Sequence, residues 1–304
     1  MNAKIIGTGS AVPSTIVTNA EINDNPDWVS KVLGVDERRK SGVNELSSDL
    51  AFEAAKSCLE AANISAEEID LIIVATISPD KLTPSTACIL QEKLQANQAV
   101  AFDLSAACSG FVYAFITAAQ FISSRYYNYA LVIGVDTLTR YTDWDSRDAV
   151  YFGDGAGAAI LTYSDSVNIL ASKMRSDGNC QDHYVIAHND TFKMDGVKVT
   201  EFACANLPPL IDDVLEAANM AKSDIDLVIS HQPSLFALQK VAEAANMPFD
   251  KFRSNLKNYS NTASASVPLL LDQVVRNEGI EKGSKVLFLG VGAGMTVGAA
   301  IYEW

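Results

Sequence analysis

The chain repeats part of its own sequence at a fixed spacing of 156 residues. Residues 59–64 (LEAANI) recur as residues 215–220 (LEAANM), and residues 130–135 (ALVIGV) have a counterpart in residues 286–291 (VLFLGV). Two separated matches that share one offset are hard to obtain by chance, and repeats of this kind mark duplicated structural units. The sequence therefore predicts a chain made of two similar halves.

Each half combines helices with short strands rich in aliphatic residues. An apolar run such as residues 71–74 (LIIV) is typical of a strand that is buried on both faces, and its alternation with helices favours largely parallel sheets. The helix that begins near Cys108 is apolar nearly all round, which predicts that it lies between the sheets. The predicted fold is α/β, a five-layered α/β/α/β/α body whose two halves are residues 1–165 and residues 166–304.

Charge and composition exclude several classes of function. A net charge of −14 repels nucleic-acid phosphates and anionic membranes, so neither is an expected partner. No run approaches the ~20 apolar residues of a membrane span, and no signal peptide is evident at the N-terminus, so we expect a cytoplasmic protein. The five cysteines are odd in number, widely spaced and without a CxxC pair, so we expect no disulfide framework and no metal site.

Cys108 is the strongest candidate nucleophile in the sequence. It follows a predicted strand and three small residues, Ser-Ala-Ala, and it opens the apolar helix. A thiol at a helix N-terminus lies near the positive end of the macrodipole, which lowers its pKa and favours the reactive thiolate. The alternative is a buried structural cysteine, which is the commoner environment of this residue type.

His231 and Asn261 are the two candidates for assisting that nucleophile. His231 ends a predicted strand of the second half, and catalytic residues of open α/β sheets cluster at the carboxyl ends of strands. Asn261 lies in a polar turn ahead of another helix. Taken alone, His231 is equally well explained as a hydrogen-bonded loop histidine, and Asn261 as a cap or Asx-turn residue.

Two glycine-rich turns, residues 153–157 and residues 290–294, fit no phosphate-binding motif. We interpret them as places of close backbone packing or as amides directed into a cavity.

The motifs taken together resemble the ketoacyl-synthase III family of the thiolase superfamily. The resemblance covers essentially the whole chain, and it is carried by residues 106–111 (AACSGF), 231–233 (HQP), 258–262 (NYSNT) and 153–158 (GDGAGA). It implies the thiolase fold, an obligate homodimer and ping-pong chemistry without a cofactor. Three matched catalytic positions, Cys108, His231 and Asn261, in the family's order make the signal specific.

The resemblance also implies a mechanism. An acyl-CoA or acyl-carrier thioester would acylate Cys108, with the oxyanion held by the backbone amides of Cys108 and Ala293. A malonyl thioester would then lose CO₂ while His231 and Asn261 donate hydrogen bonds to its thioester oxygen. The resulting carbanion would attack the acyl-cysteine and give a 3-oxoacyl thioester.

The substrate-binding residues match the family less well. Trp28 and Arg147 resemble its adenine-clamping pair, whereas Lys31 stands beside the position of a basic residue that contacts the CoA phosphate, and Ser234 replaces an Asn beside the pantetheine arm. Thr83 occupies the position of a bulky aromatic that closes the partner subunit's acyl tunnel, so we expect a wider or longer acyl pocket.

Three alternatives to a decarboxylating condensing enzyme, in fatty-acid synthesis or in a specialised lipid or secondary-metabolite pathway, remain open at this point. A non-elongating relative would pass the acyl group from Cys108 to another nucleophile without releasing CO₂. A papain-like peptidase shares the order Cys, His, Asn, although the 156-residue repeat argues against it. A non-catalytic scaffold subunit of a condensing complex would keep the fold, yet such partners typically lose the nucleophile.

Overall fold

Two β-sheets form the frame of the molecule. The computed structural model describes residues 1–23, 25–188 and 190–304. The strands are β1 (Ala3–Ala11), β2 (Thr15–Thr18), β3 (Glu37–Lys40), β4 (Leu71–Ala75), β5 (Val100–Leu104), β6 (Tyr129–Asp136), β7 (Gly155–Tyr163), β8 (Ile169–Ser176), β9 (Tyr184–Ile186), β10 (Phe192–Met194), β11 (Leu227–Ser230), β12 (Lys285–Gly292) and β13 (Thr296–Glu303). The α-helices are α1 (Asn19–Ile22), α2 (Pro26–Trp28), α3 (Ser47–Ala62), α4 (Thr86–Leu94), α5 (Gly110–Ser123), α6 (Gly196–Ala218), α7 (Leu235–Ala244), α8 (Leu256–Tyr259) and α9 (Ser266–Asn277).

The two large sheets are mixed and not largely parallel, so that expectation from the sequence is wrong. The first sheet has the order β1-β7-β6-β4-β5 and the second the order β11-β12-β13-β8. The pairs β4–β5, β4–β6 and β11–β12 are parallel, whereas β6–β7, β1–β7, β12–β13 and β13–β8 are antiparallel. The reason lies in the connections. A tight turn joins β12 to β13, and a parallel pair would need a long crossover in its place.

Helices cover and separate the two sheets. Helices α5 and α9 lie between them, since each contacts strands of both sheets. Helices α3 and α4 pack on the outer face of the first sheet, and α6 packs on the outer face of the second with α7 beside it. The predicted five layers and the predicted middle position of the apolar helix α5 are therefore confirmed.

The duplication is visible in the backbone as well as in the sequence. Helices α5 and α9 begin 156 residues apart, as do β4 and β11, and as do β6 and β12. Ala107 and Ala263, also 156 residues apart, both have a positive φ, of 47° and 48°. The first sheet's β7 ends at Tyr163 and the second sheet's β8 begins at Ile169, so the predicted junction near residue 165 falls in this connection.

The helices have the lengths of globular-protein helices. The longest in the described part of the chain is α6, with 23 residues, and it contains two adjacent prolines, Pro208 and Pro209. Within the residues that the structure describes, no helix combines the length and the apolar character needed to cross a membrane.

Candidate active site

A cavity of about 650 Å³ brings together side chains from both halves of the chain. Its walls include seven of the nine residues that the sequence singled out, namely Cys108, His231, Asn261, Ala293, Trp28, Arg147 and Ser234. Lys31 and Thr83 lie outside this lining. The three proposed catalytic residues therefore border one shared space that is large enough for part of a substrate.

Cys108 lies in a short 3₁₀ turn, Ala107–Ser109, which leads directly into α5. The positive φ of Ala107 turns the chain sharply just before the nucleophile, and non-glycine residues adopt this conformation at a cost of order 1 kcal/mol or more. Gly292 at the end of β12 packs directly on this turn. The backbone of the second half thus supports the candidate nucleophile, Cys108, of the first half.

The pKa of Cys108 differs in direction from the expectation for a helix N-terminus. Burial raises the pKa of the Cys108 thiol, and the nearby Asp136 carboxyl raises it further, whereas the cysteine's own backbone N–H lowers it. The prediction of a lowered pKa is therefore wrong, because the desolvation of a buried thiolate outweighs the ~0.3–1 kcal/mol typical of a helix terminus. Cys108 is a neutral thiol at pH 7 and needs a base to become a nucleophile.

Replacing Gly292 by alanine tests the support of the nucleophile by the second half. A Cβ atom at this position would lie 2.6 Å from the Ala106 carbonyl oxygen and 2.8 Å from the backbone nitrogen of Cys108. Because these contacts force the turn to move, we expect the rate of Cys108 acylation to fall by about 100-fold. Acylation is followed by intact-protein mass spectrometry, with Gly178→Ala as control because no atom lies within 4 Å of an added Cβ there. Unchanged acylation of Gly292→Ala would contradict the role of this contact.

His231 follows β11 and is only 4% exposed. Its backbone N–H donates to Leu289 of β12, which anchors the residue at the sheet edge. The ring nitrogen Nδ1 lies 2.8 Å from Ser266 Oγ, and that oxygen lies 2.5 Å from the Ala263 carbonyl oxygen. The Ser266 hydroxyl can donate to Nδ1 or accept from Nδ1–H, so the neutral ring can carry its hydrogen on either nitrogen while it keeps this contact.

The buried imidazole predicts a pH dependence of stability. Burial lowers the pKa of His231 from 6.5 to about 3, although a hydrogen bond to the Ala263 carbonyl favours the charged form. The folded state therefore disfavours protonation, and the stabilising contribution of the neutral ring is complete above pH 6.5 and is lost as the pH falls toward 3.

Between pH 6.5 and pH 3, His231 should lower the free energy of unfolding of wild type by up to about 1.4 kcal/mol for each unit by which the pH falls. A His231→Gln variant should lack this contribution. Urea unfolding at a series of pH values measures it. Parallel stability curves for the two proteins would show that His231 is not buried as described.

Asn261 is held by the first half of the chain. Its backbone N–H donates to the Tyr151 carbonyl and its carbonyl accepts from Gly153 N–H, which joins the polar turn to the first glycine-rich turn. The side-chain Oδ1 accepts from Ala263 N–H at 2.9 Å, an Asx-turn as anticipated from the sequence. This bond orients the amide so that its Nδ2 hydrogens remain for a partner in the cavity.

Both glycine-rich turns pack closely on other backbone, in agreement with the sequence interpretation. A Cβ atom at Gly153 would lie 2.4 Å from the Tyr259 carbonyl oxygen, and one at Gly157 would lie 2.3 Å from the Leu269 nitrogen. Gly290 packs on Ser109 in the same manner, since a Cβ atom there would lie 2.9 Å from the Ser109 Cα atom. These contacts fix the positions of the turns that carry Cys108 and Asn261.

The other predicted binding residues lie around the mouth of the cavity or away from it. Trp28 is 44% exposed, and the Arg147 side chain is almost fully exposed beside Asp148. The Ser234 hydroxyl caps α7 by accepting from Ala237 N–H. Lys31 points to solvent from a π-helical turn, and Thr83 lies in an exposed loop before α4.

Several lining or supporting residues were missed from the sequence. Tyr184 and Met194, from the β9–β10 hairpin, line the cavity together with Phe152 and a face of α6. Ser266 contacts the His231 imidazole, and Asp136 lies buried near Cys108. The signal for the hairpin was two short segments that contain aromatic and aliphatic residues, residues 184–186 (YVI) and 192–194 (FKM), on either side of a polar turn.

Known proteins match this chain over its whole length. Residues 102–178 match the model of the family described as 3-oxoacyl-[acyl-carrier-protein (ACP)] synthase III, and residues 215–304 match the model of its C-terminal part. Curated relatives named beta-ketoacyl-[acyl-carrier-protein] synthase III include that of Laribacter hongkongensis, with 40% identity over 99% of both chains. A similar relative from Nostoc sp. has 42% identity over 99% of this chain and 97% of the other.

A solved structure supports the same relationship. The crystal structure of 3-oxoacyl-[acyl-carrier-protein] synthase III from Aquifex aeolicus superposes with a TM-score of 0.96 and 36% identity, covering 99% of this chain and all of that one. The five-layered architecture is therefore the thiolase fold, as expected from the sequence.

Proposed function

The chain belongs to the 3-oxoacyl-[acyl-carrier-protein] synthase III family, and from this premise we propose that it condenses an acyl group with a malonyl thioester. It is an acyltransferase, as its curated relatives are. The observation that carries the proposal is the single cavity bordered by a thiol, an imidazole and a carboxamide from the two halves. A peptidase leaves this membership unexplained, and a scaffold subunit leaves the presence of Cys108 unexplained.

In the first half-reaction, His231 Nε2 takes the proton of the Cys108 thiol. The sulfur then forms a bond to the acyl carbon, with the oxyanion facing the amides of Cys108 and Ala293. The bond between the acyl carbon and the sulfur of the donor thiol breaks, and the departing thiolate takes from His231 the proton that came from Cys108. This step leaves an acyl-cysteine, a free donor thiol and a neutral His231. Both resting groups are neutral, as their raised and lowered pKa values require.

In the second half-reaction, the malonyl thioester loses CO₂ and its carbon–carbon electron pair passes to the thioester oxygen. Asn261 Nδ2–H donates to that oxygen, and the neutral His231 ring donates to it from Nε2–H while its Nδ1 accepts from the Ser266 hydroxyl, so both groups stabilise the charge as it develops. The enolate carbon attacks the acyl-cysteine and expels the Cys108 thiolate, which takes a proton from water. The product is a 3-oxoacyl thioester.

The substrates and partners that we assigned from the sequence are part of this proposal. We assign Trp28 and Arg147, which line the cavity, to the adenine of CoA and Ser234 to its pantetheine arm, whereas Lys31 would have to reach the phosphate from outside the lining. A carrier protein is the alternative donor. Exposed Thr83 is assigned to the acyl tunnel of a second subunit in a homodimer, where its small side chain would leave room for a longer chain.

The decisive experiment supplies an acyl-CoA and malonyl thioester labelled with ¹⁴C at the free carboxyl group. Release of labelled CO₂ together with a 3-oxoacyl thioester supports condensation. Formation of acyl-Cys108 without CO₂ release would favour the non-elongating acyltransferase. A specialised lipid or secondary-metabolite role is tested by the chain preference found in the same assay.

A further inference from the structure

Tyr184 carries a buried hydroxyl without a hydrogen-bond partner in the part of the chain that the structure describes. It lies at the start of β9, its ring lines the cavity, and its oxygen is shielded from solvent. Within residues 1–23, 25–188 and 190–304, no hydrogen-bond partner reaches this oxygen. A buried polar group left in this way destabilises the protein relative to a paired one.

The surroundings of the phenol place it next to the nucleophile. The Tyr184 ring packs against Phe152, with centroids 5.9 Å apart, and stacks on Phe192 at 6.1 Å. Cys108 packs against the same cluster of side chains. Burial raises the pKa of the Tyr184 phenol, and the proximity of Cys108 and Asp136 raises it further, so the hydroxyl keeps its proton and can donate as well as accept.

An apolar environment of this kind would accept a phenylalanine ring equally well, without the unsatisfied oxygen. The hydroxyl gains a partner only if a bound molecule supplies one. The molecule that comes closest to Cys108 during the proposed reaction is the acyl group attached to its sulfur. A polar atom on that acyl chain would restore the missing hydrogen bond.

We propose that the Tyr184 hydroxyl forms a hydrogen bond with an oxygen carried by the acyl chain on Cys108, so that the preferred acyl substrates are hydroxyacyl or oxoacyl thioesters. This inference rests on the proposed function and specifies its substrate class. It adds a specificity-determining residue from the β9–β10 hairpin to the catalytic residues of the two halves.

The hairpin can make the hydroxyl accessible without disturbing the main sheets. It is joined by only three residue pairs and adds no strand to either large sheet. Val185 and Lys193 face outward, whereas Tyr184 and Phe192 face the cluster. Short two-stranded hairpins are marginal by themselves, and movement of this one breaks no hydrogen bond of the two large sheets.

The test measures initial rates of Cys108 acylation by intact-protein mass spectrometry with three acyl-CoA probes. Butyryl-CoA is compared with 3-hydroxybutyryl-CoA, as both enantiomers, and with acetoacetyl-CoA. We expect wild type to react at least tenfold faster with the better oxygenated probe than with butyryl-CoA, and Tyr184→Phe to lose that preference. Tyr141→Phe is the matched control, since Tyr141 packs against the same cluster but lies outside the cavity lining.

Each outcome separates the inference from the proposed function. Equal rates for all probes in wild type, or an unchanged preference in Tyr184→Phe, would overturn the inference while the acyl-enzyme remains established. A uniform loss with every probe in Tyr184→Phe would also overturn it, since the phenol would then act on the thioester or on packing. If no probe acylates Cys108 in wild type, the proposed function itself fails.

Discussion

Replacing Cys108 by serine is expected to abolish the acyl-enzyme adduct, to below about 1% of the wild-type amount. The serine hydroxyl is a much weaker acid than a thiol. In a pocket where burial already raises the pKa of the thiol, no comparable fraction of alkoxide forms. Intact-protein mass spectrometry after incubation with an acyl-CoA gives the adduct mass directly.

The matched control is Cys204→Ser, because Cys204 also lines the cavity but lies on α6. This variant should form the adduct as wild type does. An undiminished adduct on Cys108→Ser would place the nucleophile elsewhere, and loss of the adduct on Cys204→Ser instead would identify the other thiol.

Replacing Asn261 by aspartate is expected to reduce condensation by about 10²–10³-fold, the range found when a single oxyanion donor is removed. Aspartate has nearly the same shape and keeps the oxygen that accepts from Ala263 N–H. It replaces the donating Nδ2 by an acceptor of negative charge, which repels the enolate oxygen. Acylation of Cys108 does not use this donor, so its rate should fall by less than tenfold.

Single-turnover assays separate the two half-reactions, since CO₂ release from pre-formed acyl-enzyme reports condensation alone. Asn258→Asp makes the same chemical change three residues away on an exposed side chain, and it should leave both half-reactions intact. An equal loss of acylation and condensation in Asn261→Asp would remove the assigned role, because a group specific to the enolate acts only in the second step.

The layers could be predicted from the sequence because they depend on local patterns and on the repeat. A strand or helix that is apolar on every side is expected to be buried on every side. The middle position of α5 therefore followed from its composition alone. The parallel or antiparallel pairing of the strands could not be predicted in this way. It depends on the length and shape of connections such as the tight turn between β12 and β13.

The pKa values in the candidate site were less predictable from the sequence than the identity of its residues. Cys108, His231 and Asn261 were singled out because their motifs match the ketoacyl-synthase III family in the same order, whereas each residue taken alone had an equally good or commoner structural explanation. The raised pKa of Cys108 was not foreseen, because desolvation is a property of the assembled cavity and leaves no mark on neighbouring residues. The contacts of Ser266 and Tyr184 likewise arise only when distant segments come together.

The backbone turns at Ala107 and Ala263 are equivalent in the two halves, but the residues that follow them have different surroundings. Each turn is followed by a small residue, Cys108 in one copy and Ser264 in the other. The thiol borders the open cavity, whereas the Ser264 hydroxyl is fully buried, 2.6 Å from the Asp136 carboxyl and 2.9 Å from the Ala75 carbonyl oxygen. The two equivalent positions therefore make different contacts: the thiol of one copy faces the space for a substrate, while the hydroxyl of the other joins the corner of the second half to strands β4 and β6 of the first sheet.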